Sequence, residues 1–154
     1  MEEKVYLSKE KLVELQKELE SLKTVGRKEV AERLEYTKSL GDIAENAEYQ
    51  DARDAQAAVE DRIGTVELLL KSAVIVSAHE GDTVDIGSVF TIERGAEKGK
   101  ETYTLVGSEE ANVVQKKISN KSPLGEAVLG KRKGDTFSYK TPRGEASGII
   151  IKVE

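Results

Sequence analysis

The chain contains no cysteine and no tryptophan, one histidine, and no proline before position 123. The lack of cysteine excludes disulfides and cysteine-based zinc sites. With His79 as the lone histidine, a Cys–His nucleophilic pair and a histidine-rich metal site are excluded as well. His79 falls in a polar stretch and reads as a solvated linker residue. Phe90 and Phe137 are the only phenylalanines, too few to wall an aromatic proline-binding pocket. No stretch approaches the roughly 20 apolar residues of a membrane span. The first ten residues are acidic and lack the apolar core of a signal peptide. The glycines form neither a Walker A loop nor a dinucleotide fingerprint. The expected location is the cytoplasm.

What is present is charge, at 34% of residues, which suits a protein with a large exposed surface. Residues 1–78 carry 12 basic and 17 acidic side chains, and residues 79–154 carry 12 of each, so the net −5 belongs to the first half. An acidic chain is a poor autonomous binder of nucleic acid, which needs clustered Lys and Arg against phosphate. Contact with nucleic acid is therefore expected only locally, inside a larger complex.

The first half has helical periodicity. Ser8 is a candidate N-cap, and Leu12, Leu15, Leu19 and Leu22 follow at heptad spacing. Val25, Val30 and Leu34 continue the stripe with a phase slip marked by Gly26. A second stripe runs Ala52, Ala55, Val59, Ile63, Val66, Leu70 and Ala73. Two such helices joined by a short turn pack antiparallel. The prediction is an antiparallel coiled-coil hairpin over residues 1–78, its tip near Gly41–Tyr49. With about thirty residues per arm at ~1.5 Å each, the rod is roughly 45 Å long.

From Thr83 the pattern changes to short alternating or β-branched runs at 88–94, 101–106, 135–140 and 147–153, punctuated by glycines. Thr141-Pro142-Arg143-Gly144 reads as a hairpin turn. Ser122 through Gly130 reads as a short helix, capped by Ser122, opened by Pro123 and closed by Gly130. The fold class is therefore α+β, with a small antiparallel β-sheet domain carrying one short helix over residues 79–154.

The candidate site is the turn between the helices. It carries Asp42, Glu45 and Glu48, three carboxylates at the end of a thin rod. One reading is local: Asp42-x-x-Glu45 has the spacing of a capping box, and acidic residues suit a helix N-terminus. The other is that these carboxylates bind a divalent cation, which prefers hard oxygen ligands. Two or three carboxylates do not make a cage, so a partner would have to complete the site. Lys38 and Arg53, near the tip, read either as ordinary surface charge or as contacts to a nucleic-acid backbone. Tyr49 reads either as packing across the hairpin or as a platform for a base.

Gly41-Asp42-Ile43-Ala44-Glu45-Asn46-Ala47-Glu48-Tyr49, followed by Ala52-Arg53, Gln56 and Glu60-Asp61-Arg62-Ile63, resembles the tip and second helix of the Gre transcript-cleavage factors of bacterial transcription. Ile118-Ser119, Ser122-Pro123-Leu124-Gly125, Leu129-Gly130, Thr141 to Glu145 and the closing Ile151 to Glu154 resemble the rest of that family's chain. Ile43 replaces a common leucine, Lys28 a common proline and Lys38 a common arginine. The acidic hairpin is closer to the A-type members. The resemblance implies a hairpin that enters the secondary channel of RNA polymerase. Asp42 and Glu45 then act at the polymerase active centre, sharing a Mg²⁺ with the enzyme, so that the polymerase cleaves backtracked RNA. It implies that the nascent RNA 3′ end lies near Lys38, Tyr49 and Arg53. It also implies an FKBP-like second domain that docks on polymerase near Ser122, Pro123 and Leu124. The chain would then be a cofactor-like protein and not itself an enzyme, with no cofactor of its own. The competing readings are a channel-binding regulator that docks without stimulating cleavage, a prolyl isomerase, and a structural coiled-coil adaptor.

Overall fold

The computed structural model describes residues 3–41, 46–77, 81–95 and 99–154. Asp42, Glu45 and His79 lie outside them. Two compact units are present, Met1–Lys11 with Ala73–Glu154, and Leu12–Ser72. These units divide the chain after Lys11 and after Ser72. The reason is pairing: β1 (Val5–Leu7) runs parallel to β2 (Ala73–Ile75), which places the first residues with the second half.

α1 (Lys9–Ser21) begins where Ser8 predicts. Ser8 Oγ accepts the Lys11 N–H at 3.2 Å and donates to Glu110 Oε1 at 2.6 Å, while the Ser8 N–H donates to Glu110 Oε2 at 2.9 Å. Glu110 therefore satisfies a free donor and sets negative charge against the positive end of the helix.

The phase slip in the leucine stripe has a physical form. Residues Leu22–Gly26 are a π-helical turn, followed by α2 (Arg27–Lys38). An uninterrupted heptad after Leu22 would place Glu29, Arg33 and Tyr36 on the seam, three polar or exposed side chains. The π turn takes up one extra residue, so Val30, Leu34 and Thr37 reach the seam instead. Burial follows this shifted register: Val30 and Leu34 are half-buried and Thr37 is buried, whereas Tyr36 is 63% exposed.

α3 (Ala47–Lys71) is 25 residues long and buries Ala52, Ile63, Val66 and Leu69. Gly64 lies inside it without breaking it. Ion pairs cross from the first arm to α3, among them Glu18–Arg62, Lys23–Glu67 and Arg27–Glu60. The bidentate Arg27 contact holds the Glu60 carboxyl below its usual range through its hydrogen bonds. Exposed pairs contribute little, so the hairpin rests on its apolar seam.

The other unit is built on a five-stranded sheet of β3 (Val89–Glu93), β4 (Lys100–Val106), β5 (Lys117–Ser119), β6 (Thr136–Thr141) and β7 (Gly144–Val153), in the order β5-β4-β3-β7-β6. The expectation of a wholly antiparallel sheet is corrected here. Three pairings are antiparallel, but β4 and β5 are parallel. Inward residues alternate along β3, where Phe90 and Ile92 are fully buried. They pack with Val84, Leu105, Phe137 and Ile150 against Leu124 and Val128 of α4 (Pro123–Val128). α4 follows the sequence reading: Ser122 Oγ accepts the Gly125 N–H at 3.1 Å, Pro123 opens the helix, and Gly130 follows it at φ +80. Gly125 has no room for a side chain, since a Cβ would lie 2.0 Å from the Ser119 carbonyl oxygen.

Candidate functional site at the hairpin turn

Two described segments frame the turn. On one side α2 ends at Lys38. The Ser39 N–H reaches the Glu35 carbonyl at 3.2 Å and the Leu40 N–H reaches the Thr37 carbonyl at 3.2 Å, before Gly41 leaves at φ +111. On the other side α3 opens at Ala47 with Asn46 as its N-cap. Asn46 has two roles at once. Its side-chain oxygen accepts the Tyr49 N–H at 3.1 Å, and its side-chain nitrogen donates to the Thr37 carbonyl at 2.7 Å. The first contact caps α3 and the second ties α3 to the last turn of α2. Thr37 is 2% exposed, and its carbonyl uses both acceptor positions, one for Leu40 and one for Asn46.

Asp42 and Glu45 lie outside the described residues, and the cap of α3 is a different residue. α3 is capped by Asn46 and not by Asp42. The acidic residue in the first turn of α3 is Glu48. The cap was legible as an asparagine ahead of Ala47-Glu48, a signal outweighed by the run of carboxylates around it.

Lys38, Tyr49 and Arg53 are brought together. With Leu34, Glu35 and Gln56 they line one groove of about 470 Å³. Helical spacing explains the grouping. Leu34 and Lys38 are one turn apart on α2, and Tyr49, Arg53 and Gln56 follow one face of α3. Tyr49 is half-buried, while Lys38 and Arg53 are exposed. The groove carries two cations against one carboxylate, a local positive balance in an acidic hairpin. A structural pair between Arg53 and Glu35 would explain Arg53 without a ligand. Among the described residues neither Lys38 nor Arg53 forms an ion pair.

The three expected docking residues belong to the sheet unit and divide by exposure. Pro123 is exposed. Ser122 is half-buried and committed to the cap, also donating to the Ser119 carbonyl at 2.6 Å. Leu124 is 8% exposed and packs in the core, so it supports the surface from beneath and offers no side chain to a partner. Among the described residues no group of three or more His, Cys, Asp or Glu side chains is placed to hold a metal ion, and no helix is long and apolar enough to cross a membrane.

Comparison with known proteins bears on the whole chain. The family profile described as "Transcription elongation factor, N-terminal" matches residues 5–75, and "Transcription elongation factor, GreA/GreB, C-term" matches residues 78–154. Transcription elongation factor GreA of Roseiflexus sp. (strain RS-1) is 44% identical over 151 residues, covering 97% of this chain and 96% of the relative. The GreA of Streptococcus suis (strain 05ZYH33) is 43% identical over 100% of this chain and 98% of its own. The crystal structure of GreA factor homolog 1 from Thermus thermophilus aligns over 99% of both chains at 29% identity, with a TM-score of 0.45. The chain therefore belongs to the GreA/GreB family of transcription elongation factors, and within it to the GreA type.

Proposed function

We propose that this chain enters the secondary channel of RNA polymerase, stimulates the polymerase's own cleavage of backtracked RNA and so rescues arrested complexes. The observation that carries the reading is the intact Gly41–Tyr49 turn in a GreA-type chain, with α3 capped by Asn46 and not by Asp42. Hydrolysis of a phosphodiester needs an oriented water and a stabilised leaving oxygen. A bound Mg²⁺ supplies Lewis-acid activation of that water and charge neutralisation at the phosphate. Asp42 and Glu45 offer hard oxygen donors of the kind Mg²⁺ takes. Two carboxylates do not complete a Mg²⁺ site, so polymerase and water would supply the remaining ligands. The same carboxylates accept hydrogen bonds from the attacking water and hold it in line.

The groove beside the turn serves the RNA. Arg53 presents a planar fork to a phosphate and Lys38 a point charge, while Tyr49 offers a ring on which a base can stack. Both cations act across an exposed surface, so their contribution depends on ionic strength. The test is cleavage in stalled, backtracked elongation complexes across a salt series. Arg53→Ala and Lys38→Ala should each slow cleavage, about tenfold for Arg53 and less for Lys38, with the deficit shrinking as salt masks the wild-type advantage. Wild-type rates for both variants at low salt would remove the groove from the mechanism. Pro123 is the exposed candidate for docking on polymerase.

A further inference from the structure

A second recess lies in the sheet unit and is used by nothing described so far. It encloses about 610 Å³ across β3, β7 and β6, in the size range of ligand pockets, with Arg94, Lys131, Phe137, Ser138, Ser147 and Ile149 among its walls. Arg94 is held in place. Its guanidinium lies 5.7 Å above the Tyr139 ring centroid, and its side chain is 21% exposed. Its charge is balanced by Glu101, yet Arg94 Nε stands 3.6 Å from Glu101 Oε2, beyond hydrogen-bond distance. The Tyr103 hydroxyl already donates to that Glu101 oxygen, at 2.6 Å. Arg94 Nε is thus a buried donor with no acceptor among the described residues. An unfilled buried donor of this kind costs free energy until an acceptor arrives.

The geometry points to a binding site for an extended peptide segment carrying one carboxylate, anchored by Arg94 and Lys131. Charge argues for a single negative group at most: with Glu101 set against Arg94, Lys131 is the wall cation that forms no ion pair among the described residues, and Glu93 is the one wall carboxylate. A phosphate bearing two charges would leave one uncompensated beside Glu93. Topology argues for a peptide. β6 is the outermost strand of the sheet, so its far side offers backbone N–H and C=O groups to an added strand, and Ser138 on that strand lines the recess. Phe137 and Ile149 supply apolar contact for the residues flanking the carboxylate. This site is independent of the turn chemistry proposed above.

The test is a ¹⁵N NMR titration of the full chain with acetyl-Leu-Glu-Leu-Val-amide, its Gln counterpart and inorganic phosphate. The Glu peptide should shift the amides of Ser138, Ser147 and Gly148 and the Arg94 Nε–H. The Gln peptide should bind about tenfold more weakly, since a charge-assisted contact is lost. Lys131→Ala should weaken the Glu peptide severalfold with the spectrum otherwise unchanged, and Arg94→Gln should abolish the preference for Glu over Gln. Equal affinity for the two peptides, shifts confined to other surfaces, no shifts at millimolar peptide, or phosphate displacing the Glu peptide at equal concentration would each overturn the assignment.

Discussion

Removing the Asn46 side chain should loosen the turn without unfolding the hairpin. Asn46→Ala deletes two contacts. Loss of the cap at the Tyr49 N–H costs about 1 kcal/mol. Loss of the amide bond to the Thr37 carbonyl costs about another 1 kcal/mol, and no more, because the Leu40 N–H still occupies that oxygen. The sum of about 2 kcal/mol corresponds to roughly thirtyfold faster local opening. Two further variants separate the contacts. Asn46→Asp keeps an equivalent cap but turns a carboxylate toward the Thr37 oxygen. Asn46→Ser keeps a cap and simply loses the donor. Both should show about half of the alanine effect or somewhat more in the aspartate case. The assay is amide hydrogen exchange at Tyr49 and Gln50, whose N–H groups bond to the Asn46 side chain and backbone carbonyl. Amides near Ile63 and Val66, in the buried part of α3, serve as the control. Exchange in Asn46→Ala equal to wild type would refute the double role. Exchange in Asn46→Asp equal to wild type would refute the tie to α2 while leaving the cap.

Deleting Thr24 should convert the π turn to α-helix and leave the hairpin at least as stable, since Val30, Leu34 and Thr37 then fall on an unbroken heptad from Leu22. Inserting an alanine beside Thr24 should rotate α2 by about 100° and lower the melting temperature. Unfolding on deletion with tolerance of the insertion would refute the register argument. The Tyr103 hydroxyl is pushed up to about 12, by burial first and then by its bond to Glu101. The folded state therefore holds this proton more tightly than the unfolded chain, whose tyrosine ionises near ~10. The associated stability is full below the unfolded value and is lost as pH rises through the folded one. Ultraviolet absorbance should show a late tyrosinate step that Tyr103→Phe removes.

The parts of the fold that were legible in the sequence are those with enough residues to show a period. Leu12, Leu15, Leu19 and Leu22 announce a seam, and the slip after Gly26 announces an interruption, though not that it is a π turn. Phe90 and Ile92 mark an inward face by alternation, and Ser122-Pro123 with Gly130 brackets α4. What was not legible is short or depends on distant partners. β1, β2 and β5 have three residues each, too few to establish alternation. The parallel pairing of β5 with β4 depends on a connection that sequence spacing does not specify. α4 has six residues and no readable face, so nothing in the sequence said that Leu124, named with Ser122 and Pro123 for docking, packs inward against the sheet. At the turn, carboxylates were conspicuous and Asn46 was not, because its second partner, Thr37, lies nine residues upstream and is met only when the helices pair.

The central claim is that Asp42 and Glu45 act in cleavage and not in holding the hairpin together. RNA cleavage in backtracked elongation complexes measures it directly, comparing wild type with Asp42→Asn and Glu45→Gln. Both changes preserve shape and remove the charge a Mg²⁺ ligand needs. Each variant should lose most of its stimulation, about a hundredfold or more in rate, while melting like wild type and competing for polymerase at similar concentration. Wild-type cleavage by a folded Asp42→Asn protein would contradict the account, as would loss of cleavage that tracks a loss of folding or of polymerase binding.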